Sequence, residues 1–316
     1  MENLVILDIG SNSVRMAINQ IQSDGSYREI KRIKSDSRLS EGMGNNKILQ
    51  PEAMKRTIDA LVGFHKIYEN YKSIKVIGIA TAAVRQAKNQ SEFLDQIKQK
   101  IGIEIRVLTG NQEAYYDYVG VMNRLGLKNC VILDIGGASC EIVRVEKGKP
   151  IHLDSVPIGA VNITEKYRLT DRISGANLFN AQINLKKTIA SIRWINKIHH
   201  QPLVLLGGAS RSLARINRKR QHMNRIDAIH GYHLTVEQVN RTFTSLLKGN
   251  LRQRKQVPGL EPDRADIIVG GLLPLMTIID ITDARKMYFS ESGVREGIIV
   301  EYIKKYHLDS NSNKKK

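Results

Sequence analysis

The hexapeptide Val-Ile-Leu-Asp-Ile-Gly occurs twice in the chain, beginning at Val5 and again at Val131, 126 residues further on. In both copies an apolar run ends at the aspartate, small or polar residues follow the glycine, and a second apolar stretch comes next. This pattern predicts a buried strand, a tight turn and a second strand. Because the same unit opens two parts of the chain, we predict two similar lobes, with a boundary near residues 120–126.

The turns after the two aspartates suit a phosphate ligand. They read Gly10-Ser-Asn-Ser and Gly136-Gly-Ala-Ser, and a third small-residue turn, Gly207-Gly-Ala-Ser, follows the apolar run 202–206. Glycine lets the backbone come close to a ligand, and serine adds a hydroxyl donor to the backbone N–H groups. An aspartate at the strand end can hold a metal ion or a water molecule beside those donors. The repeated turns therefore favour two lobes that close on a phosphate.

The length and composition are those of an ordinary globular protein. The 316 residues are enough for roughly two domains of about 150 residues each. Hydrophobic residues make up 41% of the chain and charged residues 25%. These fractions exclude a disordered chain, a collagen-like fibre and a disulfide-stapled miniprotein.

Basic residues outnumber acidic ones, 49 to 31, so the formal charge is +18. From Arg172 to Arg225, here called the basic segment, the chain has eleven Lys or Arg and no Asp or Glu. Two interpretations stay open for it: a solvated helix face, or a surface that attracts the phosphates of a polyanion. Aromatic residues are only 5% of the chain, which argues against nucleic-acid binding by base stacking.

Cysteine usage and the apolar runs bear on location. The two cysteines, Cys130 and Cys140, lie in apolar strand-like runs. They cannot supply a zinc quartet, and they favour a reducing compartment. The first eight residues lack the basic start of a signal peptide, and no apolar run approaches the ~18 residues of a membrane span. We therefore expect a cytoplasmic protein without a membrane partner.

Two further strands lead into segments that carry candidate functional residues. The run 75–80 predicts a strand that leads to an N-cap at Thr81 and places Arg85 one turn inside a helix. The run 103–108 predicts another strand, and the segment after it predicts a helix with Glu113 in its first turn. An alternation of strands and helices of this kind is typical of an α/β protein.

Five segments together resemble the exopolyphosphatase/guanosine pentaphosphate phosphohydrolase (Ppx/GppA) family, within the sugar kinase/Hsp70/actin superfamily. Two of them are the turns after Asp8 and Asp134. The other three are Ala80-Thr-Ala-Ala-Val-Arg-Gln-Ala-Lys-Asn, Leu108-Thr-Gly-Asn-Gln-Glu-Ala and Ser292-Gly-Val-Arg-Glu-Gly. They follow the family's order over nearly the whole chain. The resemblance is to the short form of the family, without the C-terminal histidine–aspartate (HD) metal domain.

The resemblance implies an α/β fold of two ribonuclease-H-like lobes, as in actin-like ATPases, with the active site in the cleft between them. The expected boundaries are 1–122 for the N-terminal lobe and 123–316 for the C-terminal lobe with its basic tail. A helix is expected at about 295–307. By its position in the chain it belongs to the C-terminal lobe, and the alternative is that it packs back on the N-terminal lobe. The resemblance also implies Mg²⁺ as cofactor and hydrolysis of a terminal phosphate from a polyanion.

The resemblance further implies site residues, motif by motif. Glu113 matches the family's proposed general base, which activates the attacking water. Asp134 and Glu141 match acidic groups around the metal ion and the nucleophile, and the repeat adds Asp8 as a candidate metal ligand. The remaining matches are substrate-binding positions: Ser11, Asn12, Ser13, Arg15, Arg85, Gly136, Gly137, Ala138, Ser139, Gly208, Ala209 and Ser210.

Two positions of the second turn depart from the family's pattern. Ala138 stands where the family has a glycine, and Cys140 where it has a threonine. Alanine disfavours positive φ and adds a methyl group where backbone would meet phosphate, and a thiol is a weaker donor than a hydroxyl. Both changes put the efficiency of catalysis in question, whereas the base at Glu113 is retained.

Four functions stay open. The leading hypothesis is an exopolyphosphatase, because the basic segment favours a long polymer, and the next is a guanosine pentaphosphate (pppGpp) 5′-phosphohydrolase. A regulatory protein that binds polyphosphate or an alarmone without turnover is the third, motivated by Ala138 and Cys140. An ATP-dependent kinase of the superfamily is the fourth, although the sequence offers no recognisable adenosine site. A homodimer is expected from the resemblance alone, and nucleic acid is not an expected partner.

Overall fold

The computed structural model describes residues 2–308, with backbone alone for the last two of them. These residues divide into two compact units. Unit 1 comprises residues 2–120 and 294–308, and unit 2 comprises residues 121–293. The basic tail of the chain lies outside the described residues.

The sheet of unit 1 contains the strands β1 (Glu2–Ile9), β2 (Val14–Ile21), β3 (Tyr27–Ser35), β4 (Ile74–Ala80) and β5 (Ile105–Val107). Their order is β3-β2-β1-β4-β5. The first three strands pair antiparallel, whereas β1, β4 and β5 pair parallel. This order and these directions are those of a ribonuclease-H-like fold, as predicted for the lobe.

The helices of unit 1 are α1 (Pro51–Tyr68), α2 (Ala82–Gln86), α3 (Gln90–Ile101), α4 (Gly110–Met122), whose last two residues belong to unit 2, and α11 (Val294–Ile303). A π-helical turn, Lys304–Leu308, follows α11. The helix expected at about 295–307 is α11 together with this turn. It lies in unit 1, the second of its two expected places.

Alternate residues of β1 serve two cores, because neighbouring side chains of a strand point to opposite faces of the sheet. Val5 and Leu7 belong to a core that includes residues of α1 and α3. Leu4 and Ile6 belong to a second core, with Ile298 of α11. Packing on this second face explains why the end of the described chain belongs to unit 1.

The sheet of unit 2 contains the strands β6 (Cys130–Ile135), β7 (Cys140–Glu146), β8 (Lys149–Val156), β9 (Leu203–Leu206), β10 (His233–Thr235) and β11 (Lys286–Phe289). Their order is β10-β11-β9-β6-β7-β8. The strands β8-β7-β6-β9-β11 repeat the order and the directions of β3-β2-β1-β4-β5 in unit 1. Strand β10 adds an antiparallel strand at the far edge, beside β11. The sequence repeat is therefore a repeat of the fold.

The helices of unit 2 are α5 (Ala160–Tyr167), α6 (Gly175–Ala190), α7 (Gly207–Arg220), α8 (Val236–Lys248), α9 (Leu251–Lys255) and α10 (Ile268–Thr282). Helix α10 is buried on nearly all sides and packs against α5, α6, α7 and α8. An apolar helix of this kind forms the centre of a core. Neither α10 nor any other helix within residues 2–308 is both long and apolar enough to cross a membrane.

Both hairpins carry a β-bulge at the same place of the repeat. In unit 1 the register of β2 with β3 shifts between Ile18 and Asn19. In unit 2 the register of β7 with β8 shifts between Arg144 and Val145. The two bulges are 126 residues apart, as are the two copies of the hexapeptide. The repeat thus extends from sequence identity to an irregularity of the backbone.

Part of the basic segment serves the fold of unit 2. Arg218 is buried, and its Nη2 and Nε donate to the Arg225 carbonyl oxygen at 2.7 and 3.1 Å. Arg215 pairs with Asp227 and with Glu261, both outside the segment. These two arginines therefore bond to other residues of unit 2, and neither belongs to a surface that is free to attract phosphates.

Candidate active site

The first turn joins β1 to β2 and directs its carbonyl groups toward a neighbouring loop. The Gly10 N–H donates to the Ser13 carbonyl oxygen at 3.1 Å and closes the turn. The carbonyl oxygens of Ser11 and Asn12 accept from backbone N–H groups of the loop 38–40 at 2.9 and 3.0 Å. In a trans peptide the N–H group points away from the carbonyl group. The N–H groups of Asn12 and Ser13 therefore face away from this loop.

The second turn, between β6 and β7, has the same arrangement. The start of α5 holds its carbonyl groups, through three pairs: Gly136 O with Ala160 N (2.9 Å), Gly137 O with Val161 N (2.8 Å) and Ala138 O with Asn162 Nδ2 (2.8 Å). The Gly136 N–H donates to the Ser139 carbonyl oxygen at 3.0 Å, as in the first turn. The N–H groups that follow these carbonyls face away from α5. Both turns therefore present backbone donors of the kind that bind phosphate oxygens.

Gly159 is the residue that lets α5 come so close to the second turn. A Cβ atom at this position would overlap the backbone of Gly137 and Ala138. A larger residue therefore fits only if the turn moves. Gly159 was not predicted from the sequence, because its neighbour in space lies far from it in the chain.

The two departures from the family's pattern do not strain the second turn. Ala138 is not among the described residues with positive φ, and its side chain is buried. Cys140 belongs to the core of unit 2 and lies on the face of β7 opposite to Glu141. A hydroxyl at position 140 would point into that core. Neither departure therefore supplies a structural reason to doubt catalysis.

The repeat places opposite charges at one equivalent position of the two hairpins. In unit 1, Asp8 pairs across the strands with Arg15, whose Nη1 lies 3.9 Å from Asp8 Oδ2. In unit 2, Asp134 pairs across the strands with Glu141. Directly opposed residues have Cβ atoms about 4.5–5.5 Å apart on one face of the sheet. Unit 2 therefore brings two carboxylates together where unit 1 has an ion pair.

Ser155 is the partner of Glu141 on the next strand. It lies across from Glu141 on β8, and its hydroxyl donates to Glu141 Oε1 at 2.7 Å. The bulge decides this pairing, because without the shift of one residue Asp154 would face Glu141. Asp154 instead accepts from Trp194 Nε1 at 2.6 Å. Ser155 was not predicted from the sequence, because neither the strand β8 nor its register was predicted.

Asp134 and Glu141 are the residues that fit a divalent cation. Two adjacent carboxylates repel each other unless a cation or a proton relieves the repulsion. Mg²⁺ is often held by one or two carboxylates together with substrate phosphates. Asp8 fits a cation less well, because the Arg15 guanidinium lies beside it. Within residues 2–308, no group of three or more His, Cys, Asp or Glu side chains is arranged to hold a metal ion.

The third small-residue segment is the first turn of α7 rather than a loop. Gly207 has a φ of +88°, and a Cβ atom there would overlap the Ile135 carbonyl oxygen and lie 2.8 Å from Asp134 Oδ1. The helix therefore begins directly beside the end of β6. Ala209 and Ser210 have buried side chains, so their contact with a phosphate would come from backbone N–H groups at the helix N-terminus.

Arg264 is a further residue of this region that the sequence analysis missed. Its guanidinium packs on Gly208 so closely that a Cβ atom at that glycine would overlap it. Arg264 Nε donates to Glu261 Oε2 at 2.7 Å, which fixes the side chain. A cation held beside a helix N-terminus adds to the positive potential there. No sequence pattern signals this position, because Arg264 lies in a short connection before α10.

In unit 1 the predicted base and the predicted phosphate-binding arginine form one ion pair. Arg85 Nη1 donates to Glu113 Oε2 at 2.8 Å and to the Leu108 carbonyl oxygen at 2.9 Å. The Glu113 side chain is 10% exposed. Helix α4, which carries Glu113, begins with reciprocal hydrogen bonds between Thr109 and Gln112, a capping box. The predicted helix start thus fixes the carboxylate beside its partner.

The polar side chains predicted to contact phosphate in the two turns are buried: Ser11, Asn12, Ser13 and Ser139. Unit 1 brings Asp8 together with Arg15 and Arg85 together with Glu113. Unit 2 brings Asp134 together with Glu141 and with the start of α7. Each unit therefore carries some of the predicted site residues.

Two ribonuclease-H-like units with duplicated turns of backbone donors define a protein that handles phosphate groups. A family model described as the Ppx/GppA phosphatase family matches residues 18–306. The chain belongs to the Ppx/GppA phosphatase family. The resemblance found in the sequence is thereby confirmed, and the family is one of phosphatases.

Curated relatives carry several names. A bifunctional 3-dehydroquinate synthase/phosphatase of Fusobacterium nucleatum is 28% identical and covers 94% of this chain and 46% of its own. A candidate exopolyphosphatase of Haemophilus influenzae is 26% identical, over 98% of this chain and 94% of its own. A guanosine-5′-triphosphate,3′-diphosphate pyrophosphatase of Pseudoalteromonas translucida is 28% identical, over 96% and 59%. The chain thus spans about half the length of the first relative and less than two thirds of the third.

Solved structures confirm the fold class. An exopolyphosphatase from Cytophaga hutchinsonii has a TM-score of 0.90 at 22% identity, over 96% of this chain and 98% of its own. A Ppx/GppA family member from Aquifex aeolicus has a TM-score of 0.79 at 29% identity, over 97% and 99%.

Proposed function

We propose that the protein is an exopolyphosphatase, which hydrolyses the terminal phosphate of inorganic polyphosphate with Mg²⁺ as cofactor. The observation that carries the proposal is the charge difference at equivalent positions: Arg15 beside Asp8 in unit 1, and Glu141 beside Asp134 in unit 2. Phosphoryl transfer depends mainly on neutralising charge and on positioning the nucleophile in line. Arg15, next to the first turn, supplies positive charge for the phosphate groups. Asp134 and Glu141 supply the negative charge that fits a cation.

In the proposed reaction Glu113 accepts a proton from the attacking water. The water oxygen bonds to the terminal phosphorus while the bond from that phosphorus to the bridging oxygen breaks. The products are orthophosphate and a chain that is one phosphate shorter. A positioned base of this kind contributes roughly 10²–10⁴-fold to the rate.

Arg85 has two tasks in this proposal. Its 2.8 Å ion pair holds the Glu113 carboxylate in place before substrate arrives. A substrate phosphate that reaches Arg85 competes for the same guanidinium. The competition weakens the hold on Glu113 and makes its carboxylate a better proton acceptor at the moment when substrate is present.

The residues of unit 2 would hold the metal ion and the phosphates. Asp134 and Glu141 are the proposed Mg²⁺ ligands, and the Ser155 hydroxyl fixes one oxygen of Glu141. Bound Mg²⁺ would neutralise charge on the phosphate groups. Backbone N–H groups of the second turn and of the α7 N-terminus would bind phosphate oxygens. Asp8 is left out of the proposed metal ligands because Arg15 lies beside it.

The second candidate is a pppGpp 5′-phosphohydrolase. The names of relatives favour it, since proteins 28% identical to this chain are called guanosine-5′-triphosphate,3′-diphosphate pyrophosphatases. Both substrates end in a phosphoanhydride, so the same residues would act on either.

Phosphate release from long-chain polyphosphate and from pppGpp, each with Mg²⁺, tests the proposal. We expect faster release from polyphosphate and a loss of roughly 10²–10⁴-fold in Glu113→Gln. Glu52→Gln is the matched control, because Glu52 is also an acid in the first turn of a helix but is exposed. Faster release from the nucleotide would select the second candidate. No release from either substrate, or a Glu113→Gln variant as active as Glu52→Gln, would refute the mechanism.

The homodimer and the cytoplasmic location stay predictions and belong to this proposal. Light scattering on the purified protein measures the first, and fractionation of cells measures the second.

A further inference from the structure

Arg295, in the first turn of α11, is a buried cation with an unused donor. Its side chain is 7% exposed, and its Nη1 has no hydrogen-bond partner among the described residues. Leaving a buried N–H group of a charged side chain unpaired is costly. A partner that is not part of the described chain would relieve this cost.

Two further arginines lie near Arg295: Arg32 shares the Glu296 carboxylate with it, and Arg15 is close enough to interact with it electrostatically. Arg15 lies 3.9 Å from Asp8, while Arg32 and Arg295 lie 3.7 and 3.8 Å from one oxygen of Glu296. These distances exceed those of hydrogen bonds, which run to about 3.2 Å. Arg32 also pairs closely with Glu29, at 2.7 Å. The carboxylates therefore balance the formal charge of the group, but they leave Arg295 Nη1 without a hydrogen bond.

The position of Arg295 in its helix is unfavourable for a cation. The N-terminus of a helix carries a partial positive charge, which favours an anion. Burial lowers the pKa of Arg295, and the neighbouring Arg15 and Arg32 lower it further, whereas Glu296 and Asp8 oppose this effect. An anion placed among the three guanidinium groups would relieve each of these costs.

We propose that Arg15, Arg32 and Arg295 form a second phosphate site in unit 1, which takes a phosphate group of the substrate other than the one that is hydrolysed. Arg15 connects this site to the first turn, because it follows Ser13 by two residues on β2. The assignment to a substrate phosphate rests on the proposed function, whereas the site itself rests on the arginines.

Calorimetric titration of the full chain with tripolyphosphate, in EDTA and without Mg²⁺, tests the site without turnover. We expect Arg32→Gln and Arg295→Lys each to weaken binding by about tenfold, the value of one lost hydrogen bond between charged groups. Arg28→Gln is the matched control, because Arg28 is on the same strand and its guanidinium bonds to the Gln20 side chain. Its affinity should equal that of the unaltered protein at the same salt concentration.

Equal affinities for Arg32→Gln and Arg28→Gln would overturn the site. Arg32 is half-exposed, so this comparison holds even if Arg295→Lys does not fold. A parallel titration with orthophosphate identifies the source of the phosphate. A loss confined to tripolyphosphate supports an inner phosphate of the substrate, and an equal loss for both ligands overturns that assignment in favour of a free phosphate ion. Impaired binding in a protein that releases no phosphate with Mg²⁺ would reject the proposed function and leave the site standing.

Discussion

Arg85 and Glu113 form a 2.8 Å ion pair although they come from different helices, α2 and α4, 28 residues apart. The sequence assigned them separate tasks, one on the substrate and one on the water. Their contact makes the two tasks dependent, because a change in either side chain alters the charge and the position of the other. Substitutions at Arg85 therefore test the base as well as the arginine.

Arg85→Gln should lower both kcat and stability. The Glu113 carboxylate loses a charged partner while it stays buried, which costs about 1–3 kcal/mol. Arg85→Lys keeps the charge and should recover part of the activity. Lys55→Gln is the control, since it breaks an exposed ion pair with Asp59 of the same 2.8 Å length and should change neither Tm nor kcat. Equal changes of Tm and kcat in Arg85→Gln and Lys55→Gln would contradict this account.

Gly159→Ala should damage the second turn. The new methyl group would overlap the backbone of the turn, and forced overpacking of this kind costs about 1–3 kcal/mol. Because the turn must move, phosphate release should fall more than the loss of Tm alone explains. Gly175→Ala tests the same change where nothing lies within 4 Å of the added atom. That variant should be fully active, and a Gly159→Ala protein with normal activity would show that the turn tolerates displacement.

Ser155→Ala should raise the Mg²⁺ concentration needed for half-maximal activity by about tenfold, as losses of groups that orient metal ligands do. The reason is that Glu141 loses the hydroxyl that fixes its Oε1. Ser155→Thr keeps a hydroxyl at this place and should restore the original value. Titration of Mn²⁺ into both variants without substrate gives a second readout. Identical metal affinities would remove Ser155 from the proposed site.

Arg218→Gln should act on stability rather than on substrate. Arg218 is buried and stacks on Tyr232 at 5.1 Å, in addition to its bonds to the Arg225 carbonyl oxygen. Its loss should cost about 1–3 kcal/mol in the free energy of unfolding. The neighbouring Lys219 is exposed, so Lys219→Gln should leave Tm unchanged. A larger rise in the KM for polyphosphate with Arg218→Gln than with Lys219→Gln, at equal stability, would restore the interpretation of this arginine as part of a binding surface.

Stability should fall between about pH 9 and pH 12 through Cys130. Burial raises the pKa of the Cys130 thiol from 9.0 to about 12. In that window the unfolded chain has lost the thiol proton while the folded chain keeps it, so the free energy of unfolding decreases as pH rises. Cys130→Val removes the titrating group and should show a shallower decline, by chemical denaturation at pH 7 and pH 10.5. If the free energies of unfolding of the two proteins differ by the same amount at both pH values, the Cys130 thiol does not cause the decline.

Local patterns predicted the elements that carry Glu113, Asp8 and Asp134. The repeated hexapeptide located the central strands of both sheets, and the segment after residue 108 predicted the helix that carries Glu113 in its first turn, α4. These features depend on residues within a few positions of each other. For the same reason Thr81, the expected N-cap, directly precedes α2.

The features that were missed depend on contacts between distant residues. Gly159 and Arg264 matter because of what packs on them, and their own neighbours in the chain give no hint of it. A prediction of Ser155 would start from the turn of the β7–β8 hairpin, which is formed by Lys147 and Gly148, both with positive φ. Simple counting from that turn, however, places Asp154 opposite Glu141. Only the backbone irregularity at Arg144 and Val145 brings the serine there.

The bulge between Arg144 and Val145 also makes chain length an essential property of this hairpin. Surface hairpins commonly accept insertions and deletions of single residues. Here the gain of one residue between His152 and Asp154, with the bulge kept, would bring Asp154 opposite Glu141, giving a row of three acids with Asp134. No point substitution elsewhere reverses such a shift. Among homologous chains, we therefore expect residue identities to vary along β8 more freely than the number of residues between Glu141 and Ser155.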